Sequence, residues 1–234
     1  MLVIGIPLSL VVRDRPERYG YLPDGDMPAP SVAIGAIEDK GLSVKKVLKT
    51  RNLWLLFLAI AFSGMAGIAV IVYLIPYITS LGISREVASL TVIALTSASI
   101  IGRLGFGWIG DIFDKRYGFA IAVAILAVGV FAFSQVQTIW QTVASLVIIG
   151  VGFGGVIPLR PALQMELFGR NAFGTIQGIL MIGLTIGSVV APVYVGRVFD
   201  NTGSYGSAWF VLAIITLMAI PTVLLIKPVE PDAG

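Results

Sequence analysis

The sequence predicts an all-α membrane protein of six transmembrane helices, and three observations carry that prediction. Of the 234 residues, 57% are hydrophobic and 12% are charged, about half the charge of an ordinary soluble domain. The apolar residues fall into six runs, each matching the roughly 20 residues of helix that cross a bilayer. Lys and Arg collect at one end of these runs and are nearly missing from the other, as positively charged cytosolic loops require. The runs are apolar on every face, whereas the strands of a membrane barrel are about ten residues long and alternate. There is no Cys and no His, so disulfides, thiol nucleophiles and imidazole acid–base chemistry are excluded.

Met1–Val12 is apolar but too short to span, and it lacks the basic start and small-residue cleavage site of a signal peptide. It reads as the end of a truncated transmembrane helix, stopped by Arg13-Asp14-Arg15-Pro16-Glu17-Arg18. Residues 13–52 form a cytosolic central loop. Tyr19–Lys40 is rich in Pro, Gly and Asp without apolar periodicity. Ser43 is the expected cap of a short basic helix, Val44–Thr50, whose Lys45, Lys46 and Lys49 suit an anionic leaflet.

The spans are expected at Leu53–Thr79, Val87–Gly110, Phe119–Val136, Trp140–Met165, Phe173–Val198 and Ala208–Ile226 within the 53–227 membrane unit, followed by a cytosolic tail, 228–234. With the central loop inside, Lys115, Arg116, Arg170 and Lys227 also fall inside, leaving Arg85 and Arg197 outside. Both ends of the six-helix unit are therefore assigned to the cytosolic side of a plasma (inner) membrane. Trp54, Tyr73, Tyr77, Trp108, Trp140, Tyr194 and Trp209 lie near expected helix ends, as interfacial anchors do; Tyr73 is also a candidate substrate contact.

Arg103 is the anomaly. It lies seven residues before Gly110, roughly 10 Å from the loop at 1.5 Å per residue. An arginine near a membrane helix centre costs about 2.5–3.5 kcal/mol on insertion scales and usually faces the bundle interior or a wet cavity. Thr96 and Ser99 share its helix face, and such a polar stripe suits a substrate path. The alternative is an arginine that snorkels to the headgroups or pairs with a structural carboxylate.

The charges after it suggest a conformational latch of Asp111, Lys115, Arg116, Arg160 and Glu166. Asp111 is expected against the start of a neighbouring helix, where unpaired N–H groups attract a carboxylate. Arg160, between Pro158 and Pro161 in a locally irregular helix, is expected to pair with Glu166 or Asp111 near the inner surface. Gly150-Val151-Gly152-Phe153-Gly154-Gly155 matches a dinucleotide fingerprint formally but follows no strand. There, and at Gly174/Gly178 and Gly183/Gly187/Ala191, small residues at spacing four are expected to let helices pack closely. No cofactor, metal or nucleic acid is expected, and no catalytic spacing of acids occurs within the spans, so the chain is not read as an enzyme.

Arg103, Gly107, Trp108 and Asp111, leading into a basic turn, resemble the loop between the eighth and ninth helices of major facilitator superfamily transporters, more closely the oxalate:formate antiporter and monocarboxylate porter families. The turn departs from the family pattern at Ile112 and Asp114, where arginine and glycine are common. Four further stretches are similar to that family in the same order: Arg13–Gly20, Tyr73–Ser84, Phe168–Gly178 and Phe199–Tyr205. The resemblance implies the C-terminal half of a 12-helix fold, with an inverted three-plus-three repeat, a missing N-terminal six-helix half, and substrate bound between halves near the midplane. It also implies that Arg103 binds a substrate carboxylate, for which a guanidinium offers a planar pair of donors. Ser99 stands where animal monocarboxylate porters carry aspartate, and Phe173–Val198 lacks the lysine of the oxalate antiporter, having only Arg197 at its outer end. With one deep cation, a monocarboxylate-like organic anion fits better than a dicarboxylate. The competing readings are a carrier of neutral or drug-like solutes, with Arg103 structural, and a non-transporting half-protein partner.

Overall fold

The computed structural model describes residues 44–170 and 173–227, all within the unit that begins at Gly41. The expected truncated helix at 1–12, the central loop up to Ser43 and the tail at 228–234 lie outside the described residues. A short helix, α1 (Val44–Val47), leads into α2 (Arg51–Ser80), α3 (Arg85–Ile112), α4 (Lys115–Phe133), α5 (Ile139–Phe168) and α6 (Phe173–Thr202). The last span is divided into α7 (Gly206–Leu217) and α8 (Ala219–Leu224). Among the described residues, six helices are long and apolar enough to cross a membrane, α7 and α8 counting together.

Local chemistry sets the ends. Ser84 accepts from the Val87 N–H at the start of α3 and Asp114 from the Arg116 N–H at the start of α4. Thr138 and Gln141 close a capping box on α5, each side chain taking the other's backbone N–H, which satisfies two otherwise unpaired donors. Gly169 ends α5 with φ 72°, a left-handed conformation that suits glycine. The break at Met218 lies three residues before Pro221, which has no N–H to continue the ladder. Pro158 and Pro161 sit inside α5, which continues through both; each lacks the N–H that would bond four residues back, so the ladder has two gaps there.

The closest helix contact joins α3 and α5. A Cβ added at Gly154 would overlap the Ser99 carbonyl, and one at Gly102 the Val151 carbonyl. At Gly150 it would lie 2.6 Å from the Leu95 carbonyl oxygen. Gly152 meets the Leu126 backbone of α4 from the other side of α5. On α6, Gly183 receives the Phe57 ring, and Gly187 lies against Ala61 and Met65. Gly174 and Gly178 have nothing near the Cβ position, so packing expected there is absent among the described residues. Without a hydrophobic force between helices in lipid, such backbone approach is a main source of association.

The pairing of helices repeats. Helix α2 packs on α6 and on α7–α8, as α5 packs on α3 and α4, while α4 packs on α7–α8. Exchanging α2 with α5, α3 with α6 and α4 with α7–α8 maps these contacts onto one another. Exchanged elements are three spans apart in chain order, with two helices between them, so they run in opposite directions, which is the pattern of an inverted repeat.

At the end rich in Lys and Arg, hereafter the basic end, three elements are tied together. Arg116 donates from Nε to both Asp114 oxygens, at 3.0 and 3.2 Å, and from Nη1 to the Ile226 carbonyl at 2.8 Å. Asn52 brackets the Lys227 backbone, donating to its carbonyl at 2.9 Å and accepting from its N–H at 3.3 Å. The starts of α2 and α4 thus hold the end of the last helix. Two of the expected interfacial anchors are interior. Trp209 is 0% exposed and packs edge-on to Phe133, and Tyr77 donates its hydroxyl to the Phe133 carbonyl. Both belong to an aromatic cluster with Tyr205, whereas Trp54, Trp108 and Trp140 are exposed.

Two predictions follow from these contacts. Gly154→Ala forces α3 and α5 apart and is expected to lower thermal stability by about 1–3 kcal/mol, measured by unfolding in detergent or nanodiscs; an unchanged midpoint would contradict the contact. Hydrogen bonds from Arg116 hold the Asp114 carboxyl below the usual carboxylate range. A depressed carboxyl stabilises the fold fully above its unfolded value of about 3.9, and that contribution is lost as pH falls through the lower folded value. The stability deficit of Asp114→Asn, present at neutral pH, is therefore expected to shrink once the pH drops below about 4.

Candidate functional site

The side chains of α3 at positions 96, 99 and 103 line one groove of about 390 Å³, within the range of small-molecule sites, roughly 300–1,000 Å³. Ile71, Leu74 and Ile75 of α2 form its second wall, and Phe153 of α5 closes it. Phe153 reaches the groove because Gly67 on α2 leaves room for the ring, which a Cβ there would overlap. Apart from the polar residues of α3, the groove is lined by apolar side chains, and it carries one cation.

The three polar residues differ in what they offer. Arg103 is exposed, with no ion pair or side-chain hydrogen bond among the described residues. Its donors are free to meet a ligand. Ser99 is 7% exposed and its Oγ has no hydrogen-bond partner, held at the α3–α5 contact by Gly154. Thr96 donates its hydroxyl to the Val92 carbonyl of its own helix at 2.8 Å, leaving only acceptor capacity. Arg103 thus offers the exposed donors of the groove, while the Ser99 hydroxyl is buried and that of Thr96 is turned to its own helix.

Tyr73 is not brought to this groove. Two residues beyond Ile71 is roughly 200° around a helix, so the tyrosine faces away. Its ring lies 5.6 Å from that of Tyr205, and its hydroxyl abuts Gly196. Phe153 was missed because its sequence neighbours are glycines with a packing explanation; counting the α5 face inward from it was the available signal.

The expected latch residues separate into four arrangements, one of them the pairing of Arg116 with Asp114 already described. Lys115 and Glu166 form an ion pair at 2.9 Å, with 29% and 46% of the side chains exposed, so the pair contributes little stability. Asp111 is exposed and without a hydrogen bond or ion pair among the described residues. The carboxylate found at a neighbouring helix start is that of Asp114, which caps α4. The expected Arg160 salt bridge is absent as well. Six residues along a helix amount to about 240° of rotation, so Glu166 points away from Arg160 and toward Lys115. Arg160 is 8% exposed, and its Nε and Nη2 have no partner.

A sequence profile of the Major Facilitator Superfamily matches residues 56–234. Monocarboxylate transporter 12 of Mus musculus is 27% identical over 158 residues, an alignment covering 66% of this chain and 32% of that protein. Monocarboxylate transporter 7 of Homo sapiens is 24% identical over 207 residues, covering 86% and 38%. YhjX of Escherichia coli, an uncharacterized MFS-type transporter, is 26% identical over 170 residues, covering 70% and 42%. This chain thus spans less than half the length of these relatives. Among solved structures, tetrameric PepTSo2 superposes with a TM-score of 0.67 at 18% identity, covering 78% of this chain and 45% of that one. The six-helix bundle and the profile match over most of its length make this chain a member of the Major Facilitator Superfamily of transporters.

Proposed function

We propose that the protein to which this chain belongs carries small monocarboxylate-like organic anions across a membrane by alternating access, with Arg103 binding the carboxylate. The observation that carries this reading is an exposed guanidinium, unpaired among the described residues, in a largely apolar groove. A planar carboxylate accepts two parallel N–H bonds from Arg103, while a short aliphatic tail lies against Ile71, Leu74 and Phe153. Burial of an apolar tail and pairing of a single charge use what the groove contains. The similarity to monocarboxylate transporters 12 and 7 supports the same substrate class.

The groove opens on one side, where Ile71, Val72, Ile100 and Leu104 are exposed. Further helices of the complete protein would form the facing wall, in keeping with the greater length of its relatives. Under this reading the basic end faces the cytosol of a plasma membrane, because Lys45, Lys46, Lys49, Arg51, Lys115, Arg116 and Lys227 gather there. Alternating access then exposes Arg103 to each side in turn through rocking of helices about the bound anion.

The test is saturable uptake of radiolabelled lactate or acetate into vesicles containing the product of the full reading frame. Removing a charged hydrogen-bond donor pair costs about 1.5–3 kcal/mol per bond, so Arg103→Gln is expected to lower kcat/KM by at least about 10-fold. Unchanged carboxylate uptake in that variant, or competition by neutral solutes and none by carboxylates, would overturn the reading.

A further inference from the structure

On α5, Phe153, Arg160 and Gln164 share one helix face, at steps of seven and four residues. Phe153 lies in the Arg103 groove. Arg160 is two turns, about 10 Å, nearer the basic end. Gln164, one turn further, is 0% exposed and donates its amide to the Phe173 carbonyl at the start of α6, 2.6 Å away. This face therefore leads from the groove toward the basic end of the bundle. The buried core at this end of the bundle, which includes Leu159 and Leu163 of α5 with Leu53 and Ile226, is apolar.

Into that setting the fold puts a guanidinium with Nε and Nη2 unpartnered, and beside it the unpartnered Gln164 Oε1. No carboxylate among the described residues serves Arg160. Asp114 is engaged by Arg116 and Glu166 by Lys115. Glu86 and Asp200 lie at the opposite end, and Asp111 is exposed. A buried charge without a counterion is strongly unfavourable, and a guanidinium is always charged, so Arg160 is poised for an anion.

We propose that Arg160, positioned with Gln164, is a second anion-binding site, on the basic-end side of the Arg103 groove, which takes a small free carboxylate. It is separate from the groove, whose lining does not include Arg160. The inference deepens the reading of Arg103 as a carboxylate ligand and requires only that small carboxylates enter the bundle. Gln164 is a positioning residue: its amide is anchored to α6, and its carbonyl oxygen can accept from the guanidinium and orient it. A carboxylate side chain from elsewhere in the polypeptide is the rival occupant, and it is separable by experiment.

The experiment uses this chain in lipid nanodiscs, titrated with sodium acetate at constant ionic strength held by a bulky sulfonate, with thermal unfolding as the readout. Binding to the folded state raises the midpoint saturably. The rise is expected in the wild type and in Arg103→Gln, where only the Arg160 site remains, and its loss is expected when Arg160→Gln is added to Arg103→Gln. Without acetate, Arg160→Gln is expected to be at least as stable as the wild type, because an unpaired buried charge is removed. No rise in the wild type, no rise in Arg103→Gln, or a rise kept when Arg160→Gln is added to Arg103→Gln would each overturn the proposal. A tethered carboxylate on Arg160 would give the second of these outcomes. A rise lost in Arg103→Gln and kept in Arg160→Gln would leave the groove assignment standing while sinking this one. If Arg160→Gln does not fold, Arg160→Lys serves instead. Its ammonium lacks the planar donor pair, so the apparent Kd for acetate is expected to rise on the order of 10-fold, and an unchanged Kd would overturn the proposal.

Discussion

Backbone contact between α3 and α5 is the constraint on which the site depends. Gly150 and Gly154 bring the carbonyls of Leu95 and Ser99 against α5, and Gly102 returns the contact to Val151. Hydrocarbon tails are as apolar as leucine, so close approach and van der Waals contact must substitute for hydrophobic pressure in a bilayer. The same contact fixes where Ser99 and Arg103 stand relative to Phe153. A side chain larger than hydrogen at Gly154 would move the arginine away from the wall that completes its groove. Structure and candidate chemistry therefore share one determinant.

The repeated pairing of helices gives that contact a counterpart. Where α5 meets α3 through glycines, α2 meets α6 through Gly183 and Gly187. The two helix triplets thus meet through glycines at both contacts. Glycine-lined contacts present few knobs, so the helices that bear the cations are also those with the smoothest neighbours.

Six spans were legible because membrane burial imposes a length and composition that no other constraint imitates; each observed helix overlaps its expected range, with ends moved mainly by caps. The stripe of Thr96, Ser99 and Arg103 was legible from helical spacing, since one face of one helix needs no knowledge of its neighbours. Pairing between elements was not. Arg160 and Glu166 look like natural partners in the sequence, yet rotation around α5 turns them apart and gives Glu166 to Lys115. Trp209 reads as an interfacial anchor until Tyr77, Phe133 and Tyr205 surround it. The inverted repeat is invisible in the residues because it conserves pairing geometry and not side-chain identity.

The seam that closes the bundle at the basic end is made from main-chain atoms on one side. Arg116 and Asn52 engage the carbonyls of Ile226 and Lys227 and one N–H, and none of the side chains at those two positions. These hydrogen bonds are thus indifferent to the side chain at the exposed position 227, apart from a proline, which would remove the N–H. Ile226 is held by its burial in the core, while the identity at 227 can drift and the grip on its backbone persists. Constraint on this seam falls on Asn52 and Arg116, more than 100 positions away in the sequence.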